Sequence, residues 1–207
     1  MNLDSNAVPL RQRLRQASRE AILASAEVVV GEHGAHAAKV EAIAARAGVS
    51  VGTIYNYFGD REGLVLALYD SVKRQLVEKL DGALKGQPQG AFPAPLVSLF
   101  DAVLGHWREH ERLFNAMVED ELAQGPASAQ RRRTALKEMF DRVERVTRQA
   151  VKDGALQPAH ADLYPAVILG TLRSLFMKQF FLRGQKTLDV TGQTLVDLFL
   201  HGAGRRP

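Results

Sequence analysis

The sequence predicts an all-α protein of about nine helices in two domains. Three observations lead there. Apolar residues recur at three- and four-residue intervals along most of the chain, whereas alternating runs rich in Val, Ile and Thr are nearly absent. Gly and Pro punctuate the periodic stretches at helix-length intervals. One segment, KGQPQGAFPAP over 85–95, concentrates those breakers and separates a small N-terminal bundle from a larger helical body.

A first helix is expected over about 18–33, with Ser18 as its cap, Ile22, Leu23, Ala26 and Val29 on one face, and Gly34 past its end. Residues 1–17 read as a basic arm, since Arg11, Arg13, Arg15 and then Arg19 face a single acid, Asp4. A short helix follows at about 39–47 and is closed by Gly48. A third starts after Ser50, a good N-cap, and runs to about Phe58. Asp60 caps a long fourth helix in which Leu64, Leu68, Val72, Leu76 and Leu80 repeat every four residues, ending by Gly82. Beyond the linker, helices are expected at about 95–110, 111–124, 128–153, 159–183 and 191–203, with QGPAS, DGALQP and RGQKT between them. The expected organisation is an arm over 1–17, a helix-turn-helix domain with its connecting helix over 18–82, and a helical body over 83–207.

At 207 residues, 46% hydrophobic and 24% charged, the chain can bury a substantial core and is not biased towards disorder. Without cysteine, disulfides, thiol chemistry and cysteine-bound metals are excluded. The N-terminus lacks a signal-peptide core, and no apolar run approaches the ~18 residues of a membrane span. A cytoplasmic, nucleoid-associated location is expected. The net charge of +4 is compatible with a polyanionic partner without establishing one. A second basic cluster, from Arg131 through Arg142 to Lys152, reads as a solvated helix face.

KVEAIAARAGVSVGTIYNYF, over 39–58, has what a helix-turn-helix requires: two short helices, a tight turn, and small residues where they touch. Ile43, Ala44 and Ala47 give the first helix a lean packing face, Gly48 tolerates a left-handed backbone, and Val49 plugs the angle. Ile54 and Phe58, at i and i+4, face the core together. Gly52, Thr53 and Asn56 then form the opposite arc, flanked by Tyr55 and Tyr57. Such an arc suits phosphate oxygens and base edges. On spacing alone an ordinary solvent-exposed helix fits equally well.

Taken together, Ile22–Leu23, the Gly34 turn, Ile43–Ala44, Gly48–Val49–Ser50, Gly52–Thr53, Tyr55, Tyr57–Phe58 and Arg61–Glu62 resemble the N-terminal domain of the TetR family of bacterial transcriptional regulators over residues 18 to about 70. The resemblance implies a third helix in the DNA major groove, with Thr53, Tyr57, Arg61 and Lys39 on phosphates, Tyr55 against bases or sugar, and Asn56 reading a base. Val51 stands where the family often has lysine, so one cationic contact is lost, although its side chain can press on a thymine methyl. Ala38 stands where a threonine usually caps the second helix, a loss of about 1 kcal/mol unless His36 or another group substitutes. Aromatics common at the end of the first helix and after its glycine are Val30 and Ala35 here. Ten Lys or Arg against nine Asp or Glu over residues 1–80 predict a shallow salt dependence of specific binding.

In ADLYPAVILGTLRSLFMKQFFLRG apolar residues lie on nearly every face of one helix, so it must be buried on more than one side. The resemblance implies that this helix and the last one, GQTLVDLFLHGAG, form a four-helix bundle across a twofold axis. Val167, Gly170, Leu175, Leu195, Leu198 and Phe199 are then interface residues. Such a homodimer reaches successive major grooves of a palindromic operator. The resemblance also implies a cavity for a small, largely apolar effector among the middle helices. Phe100, Trp107, Met117, Tyr164, Phe176 and Phe180 are its expected lining, and His106 and Asn115 its polar anchors. Effector binding would alter DNA affinity, release being the commoner family behaviour, although an activator fits the same residues.

HWREH, His106 to His110, fits the zinc-peptidase pattern H-x-x-E-H, with Glu109 as general base and Glu119 or Glu121 as third ligand. A zinc-dependent hydrolase is therefore the competing function. The pattern is short and no other catalytic motif accompanies it, so the histidines are read as partly exposed helix residues beside Trp107. No catalytic residue, cofactor or metal is expected.

Overall fold

The computed structural model describes residues 9–88, 90–124, 129–182 and 190–202, with backbone alone for 121–124 and 129–135. The first eight residues of the expected arm, the QGPAS turn from Gly125, the RGQKT turn, Glu121's side chain and those of Arg131–Arg133 lie outside it. Among the described residues there are nine α-helices and no strand. They are α1 (Leu10–His33), α2 (Val40–Ala47), α3 (Val51–Phe58), α4 (Arg61–Leu84), α5 (Ala94–Glu109), α6 (Glu111–Gln124), α7 (Ala129–Lys152), α8 (Tyr164–Phe181) and α9 (Gly192–His201).

Two boundaries differ from expectation by five residues or more, for identifiable reasons. Helix α1 starts at Leu10, eight residues before Ser18, with Pro9 as the residue before it. Between Pro9 and Gly31 no breaker interrupts good helix formers such as Leu10, Arg11, Gln12 and Arg13. Arg11, Arg13, Arg15 and Arg19 are therefore carried on a helix rather than on a loose arm, and the Ser18 hydroxyl donates to the Leu14 carbonyl at 2.9 Å instead of capping. Helix α8 starts at Tyr164, not near 159, because Pro158–His160 makes a separate 3₁₀ turn.

The helices divide into two compact units. The first comprises residues up to Arg74 together with Glu111–Ala123. Its core holds Ile22, Ala26, Val30, Ile43, Ile54 and Leu68, joined by Leu113 and Ala116 from α6. Three features hold α6 there. A Cβ on Gly31 would stand 3.0 Å from Arg112 Cβ, so the missing side chain permits close helix approach. His36 Nε2 lies 3.1 Å from Asp120 Oδ1, and Arg112 Nη1 lies 4.0 Å from Glu32 Oε1. By contacts the units thus divide at 74/75, with α6 returning to the first, whereas the Gly/Pro linker marks 85–95.

The second unit comprises Gln75–His110 and the chain from Gln124. Leu96, Phe100, Val103, Ile168, Leu172 and Val196 form its core, with α5 packed along α9 and α7 along α8. The Gly192 N–H, at the start of α9, donates to Asp101 Oδ1 at 2.6 Å, and Arg108 Nη2 donates to the Val190 carbonyl at 2.6 Å.

Candidate nucleic-acid interface

Helix α2 is eight residues long and turns Val40, Ile43 and Ala44 into the core. It ends at Gly48, whose φ of 68° is left-handed and costs glycine little. The chain then runs extended through Ser50, whose Oγ accepts the Thr53 N–H at 3.1 Å. Removing such a cap costs about 1 kcal/mol. Two short helices are thereby fixed at one turn, and fully buried Ile54 anchors the second.

That anchoring decides what α3 shows outside. Gly52, Tyr55 and Asn56 are exposed, and Thr53 and Val51 are half-buried. Tyr55 is 42% exposed, whereas neighbouring Tyr57 and Phe58 are half-buried against the first core. The three rings thus diverge, as a 3.6-residue period demands. Phe58 is less enclosed than its pairing with Ile54 predicts, and a cation lies over its ring. The Arg19 guanidinium carbon sits 5.4 Å from the Phe58 ring centre, and that of Arg15 sits 5.7 Å from Tyr57. Both arginines come from α1, so the early start of α1 places positive charge beside α3. The Thr53 hydroxyl lies 2.9 Å from Ser50 Oγ, tied into the cap.

Lys39 is exposed at the N-cap position of α2, which has no side-chain cap. His36 does not replace the missing threonine, since it faces Asp120. Arg61 has a role that its sequence position does not suggest. Its Nε donates to the Ala38 carbonyl at 3.2 Å and its Nη2 to that of Ala35, so it binds the α1–α2 turn instead of projecting freely. Gly63 has a structural role that no sequence motif marks. A Cβ there would lie 2.2 Å from the Phe58 carbonyl oxygen, so only glycine lets α4 begin so close behind α3.

The residues expected to line an effector cavity fall in both units. Met117 packs on the first unit's core, and Asn115 lies on the same helix α6. In the second unit Phe100 is buried, Trp107 stacks on Phe176 at 5.5 Å, and Phe180 meets Phe181 edge-on. Tyr164 donates its hydroxyl to the Gln157 carbonyl at 2.8 Å and meets Phe199 edge-on. His106 is 1% exposed, not a surface histidine. The second core encloses an apolar gap of about 10 Å³ beside Phe100, Met139, Ile168 and Leu172, no more than one water would fill. At its rim Arg142 makes a two-pronged bond to Asp81, at 2.8 and 2.9 Å, and this pairing holds the Asp81 carboxyl below its ordinary value.

Of the expected interface residues, Val167, Gly170 and Leu198 are exposed, and Leu175 and Phe199 are half-buried. Leu195 is only 5% exposed, because α9 turns it into its own chain's core with Val196. Leu163, Phe181 and Leu182 add exposed apolar surface on α8 and its ends.

Residues 22–68 match the family profile described as "Bacterial regulatory proteins, tetR family". Over 64 residues the chain is 36% identical to the fatty acid metabolism regulator protein of Bacillus subtilis, covering 31% of this chain and 33% of that protein. Over 83 residues it is 37% identical to the HTH-type transcriptional regulator BetI of Escherichia coli, covering 40% and 42% respectively. In sequence, then, the chain spans between a third and about two-fifths of these curated relatives. Among solved structures, FadR from Bacillus subtilis in complex with stearoyl-CoA has a TM-score of 0.74 at 21% identity, covering 89% of this chain and 99% of that one. At that identity the likeness is one of fold.

Proposed function

We infer that this chain, whose residues 22–68 belong to the tetR family of bacterial regulatory proteins, is a sequence-specific DNA-binding transcriptional regulator. The observation that carries this reading is the outer face of α3, where exposed Gly52, Tyr55 and Asn56 stand over a buried Ile54 anchor. Gly52 lets backbone approach a groove wall, Asn56 offers an amide able to pair with adenine, and Tyr55 can lie along sugar or base. Tyr57, Thr53 and Lys39 supply phosphate contacts, and the helical arginines of α1 add positive charge at the flank. Arg61 acts first on the protein, holding the α1–α2 turn on which α2 stands.

The chain works as a homodimer on a palindromic operator. Exposed Val167, Leu198 and Phe181 supply the apolar surface that a second copy covers. It acts as a repressor, not an enzyme, in the bacterial cytoplasm, and a small, largely apolar effector releases it from DNA. The second unit's almost wholly apolar core supports that ligand class, as does the stearoyl-CoA held by a protein of the same fold. The effector selects, by differential affinity, a conformation other than the DNA-bound one.

Selection of genomic fragments by the purified protein tests this reading. Recovery of a palindromic site at physiological salt is the expected result, and bound fragments without any shared sequence would refute it.

A further inference from the structure

Among the described residues, one group of histidine and carboxylate side chains is clustered closely enough to hold a metal: His106, Glu109 and His110. All three belong to the second unit and none is used by the DNA-binding reading. Their ligand atoms lie within 4.8 Å of one another. His106 sits in the last turn of α5 and His110 is its C-cap, with φ −115° and ψ 21°. The His110 N–H bonds the His106 and Trp107 carbonyls at 3.2 Å, so the backbone fixes the spacing of the two rings. Their centres are 4.4 Å apart. Glu109 presents Oε2 3.9 Å from His110 Nε2.

We propose that His106, Glu109 and His110 bind one divalent first-row transition-metal ion of the zinc or nickel class. Imidazole nitrogen and carboxylate oxygen suit those ions, and three ligands within five residues form a compact chelate. In a tetrahedral zinc site, neighbouring ligand atoms stand ~3.4 Å apart, given metal–ligand distances of ~2.0–2.1 Å. The observed spacing needs closure of at most about 1.4 Å, within reach of side-chain rotation. Glu109 therefore acts as a ligand, and a hydrolase in which it is the distant general base is a different proposal. The fourth position is left for water or an anionic ligand.

Glu109 is already occupied by a cation. Lys79 from α4 donates Nζ to Glu109 Oε2. That bond, with smaller contributions from both histidines, holds the Glu109 carboxyl below its ordinary value. Metal binding exchanges the Lys79 ammonium for a dication on the Glu109 carboxylate. The exchange releases Lys79, and with it the α4–α5 tie, within the second unit. The proposal stands apart from the DNA-binding reading, since metal binding is measured without DNA.

The test is Zn²⁺ titration of the tag-free full-length protein against a chromogenic chelator, with Co²⁺ absorption to report the ligand field. One ion per chain is expected. Glu109→Gln and His110→Gln should each weaken binding at least tenfold and alter the Co²⁺ spectrum, with circular dichroism unchanged. Lys79→Met should tighten binding severalfold by removing the competing ammonium. His36→Gln, distant in sequence and paired with Asp120, should change nothing. Absence of stoichiometric binding, or binding indifferent to both Glu109→Gln and His110→Gln, overturns the proposal.

Discussion

The face of α3 and the interior of the second unit are built on opposite plans. In α3 one buried residue, Ile54, fixes the orientation of eight, and polar and small groups are left outside with little to hold them. In the second unit the side chains of Phe100, Ile168 and Leu172 close on one another, with a gap of about 10 Å³ beside them. The outer face of α3 is left open to solvent, whereas the second unit's interior is filled by its own side chains. The difference shows in two glycines near helix starts. Gly52, in the first turn of α3, has only Ser50 Oγ, at 3.7 Å, near the place of a missing Cβ. Gly192, in the first turn of α9, has Val97 O at 2.4 Å and Asp101 Oδ1 at 2.8 Å. One glycine leaves open space at the surface, the other makes room for the chain itself.

Substituting both glycines is the strongest way to break this contrast. Gly192→Ala should lower unfolding free energy by about 2–3 kcal/mol in urea titration, because the Cβ meets backbone and disturbs the Asp101 bond. Gly52→Ala should hold or gain about 0.5–1 kcal/mol, as expected for a helical glycine with space, yet weaken operator binding at least tenfold. Equal stability losses would erase the distinction.

Arg61→Met sharpens the boundary of the DNA-binding face. If Arg61 holds the Ala35 and Ala38 carbonyls, the variant should lose about 1–2 kcal/mol of stability with no DNA present. A residue serving phosphate alone would leave the free protein's stability untouched.

The smallest effect is expected at the Asp81–Arg142 pair. Asp81 is held below its ordinary value of 3.8 by the Arg142 hydrogen bonds. Its contribution is therefore present above pH 3.8 and is lost as pH falls through the lower folded-state value. Asp81's side chain is 55% exposed, so solvent screening limits the contribution to about 0.5 kcal/mol. Arg142→Met should remove that increment at neutral pH and flatten the stability loss below pH 3.8, as followed by acid titration of unfolding midpoints.

The helix-turn-helix was legible because each of its residues is constrained locally. Gly48 meets a left-handed turn, Ser50 a cap and Ile54 a core, and each constraint acts within a few residues of chain. Helix α1 was legible in its buried half, from Ile22 onward, but not in its exposed first turns, where Leu10 and Leu14 face solvent and no buried stripe marks the helix. Contacts between distant segments were not legible. Arg61 reaches residues more than twenty positions earlier, Gly192 reaches Asp101, and α6 returns to the first core. Leu195 and Met117 show the same limit, since apolar periodicity says that a residue is buried but not against which element.

The central claim is that the outward arc of α3 reads DNA sequence. The most direct measurement compares the sites selected from a randomised duplex library by the native protein and by Asn56→Ala. The variant should lose preference at one base pair in each half-site, keep it elsewhere, and bind non-selected DNA with unchanged affinity. An unchanged preference at every position would contradict the assignment of this face.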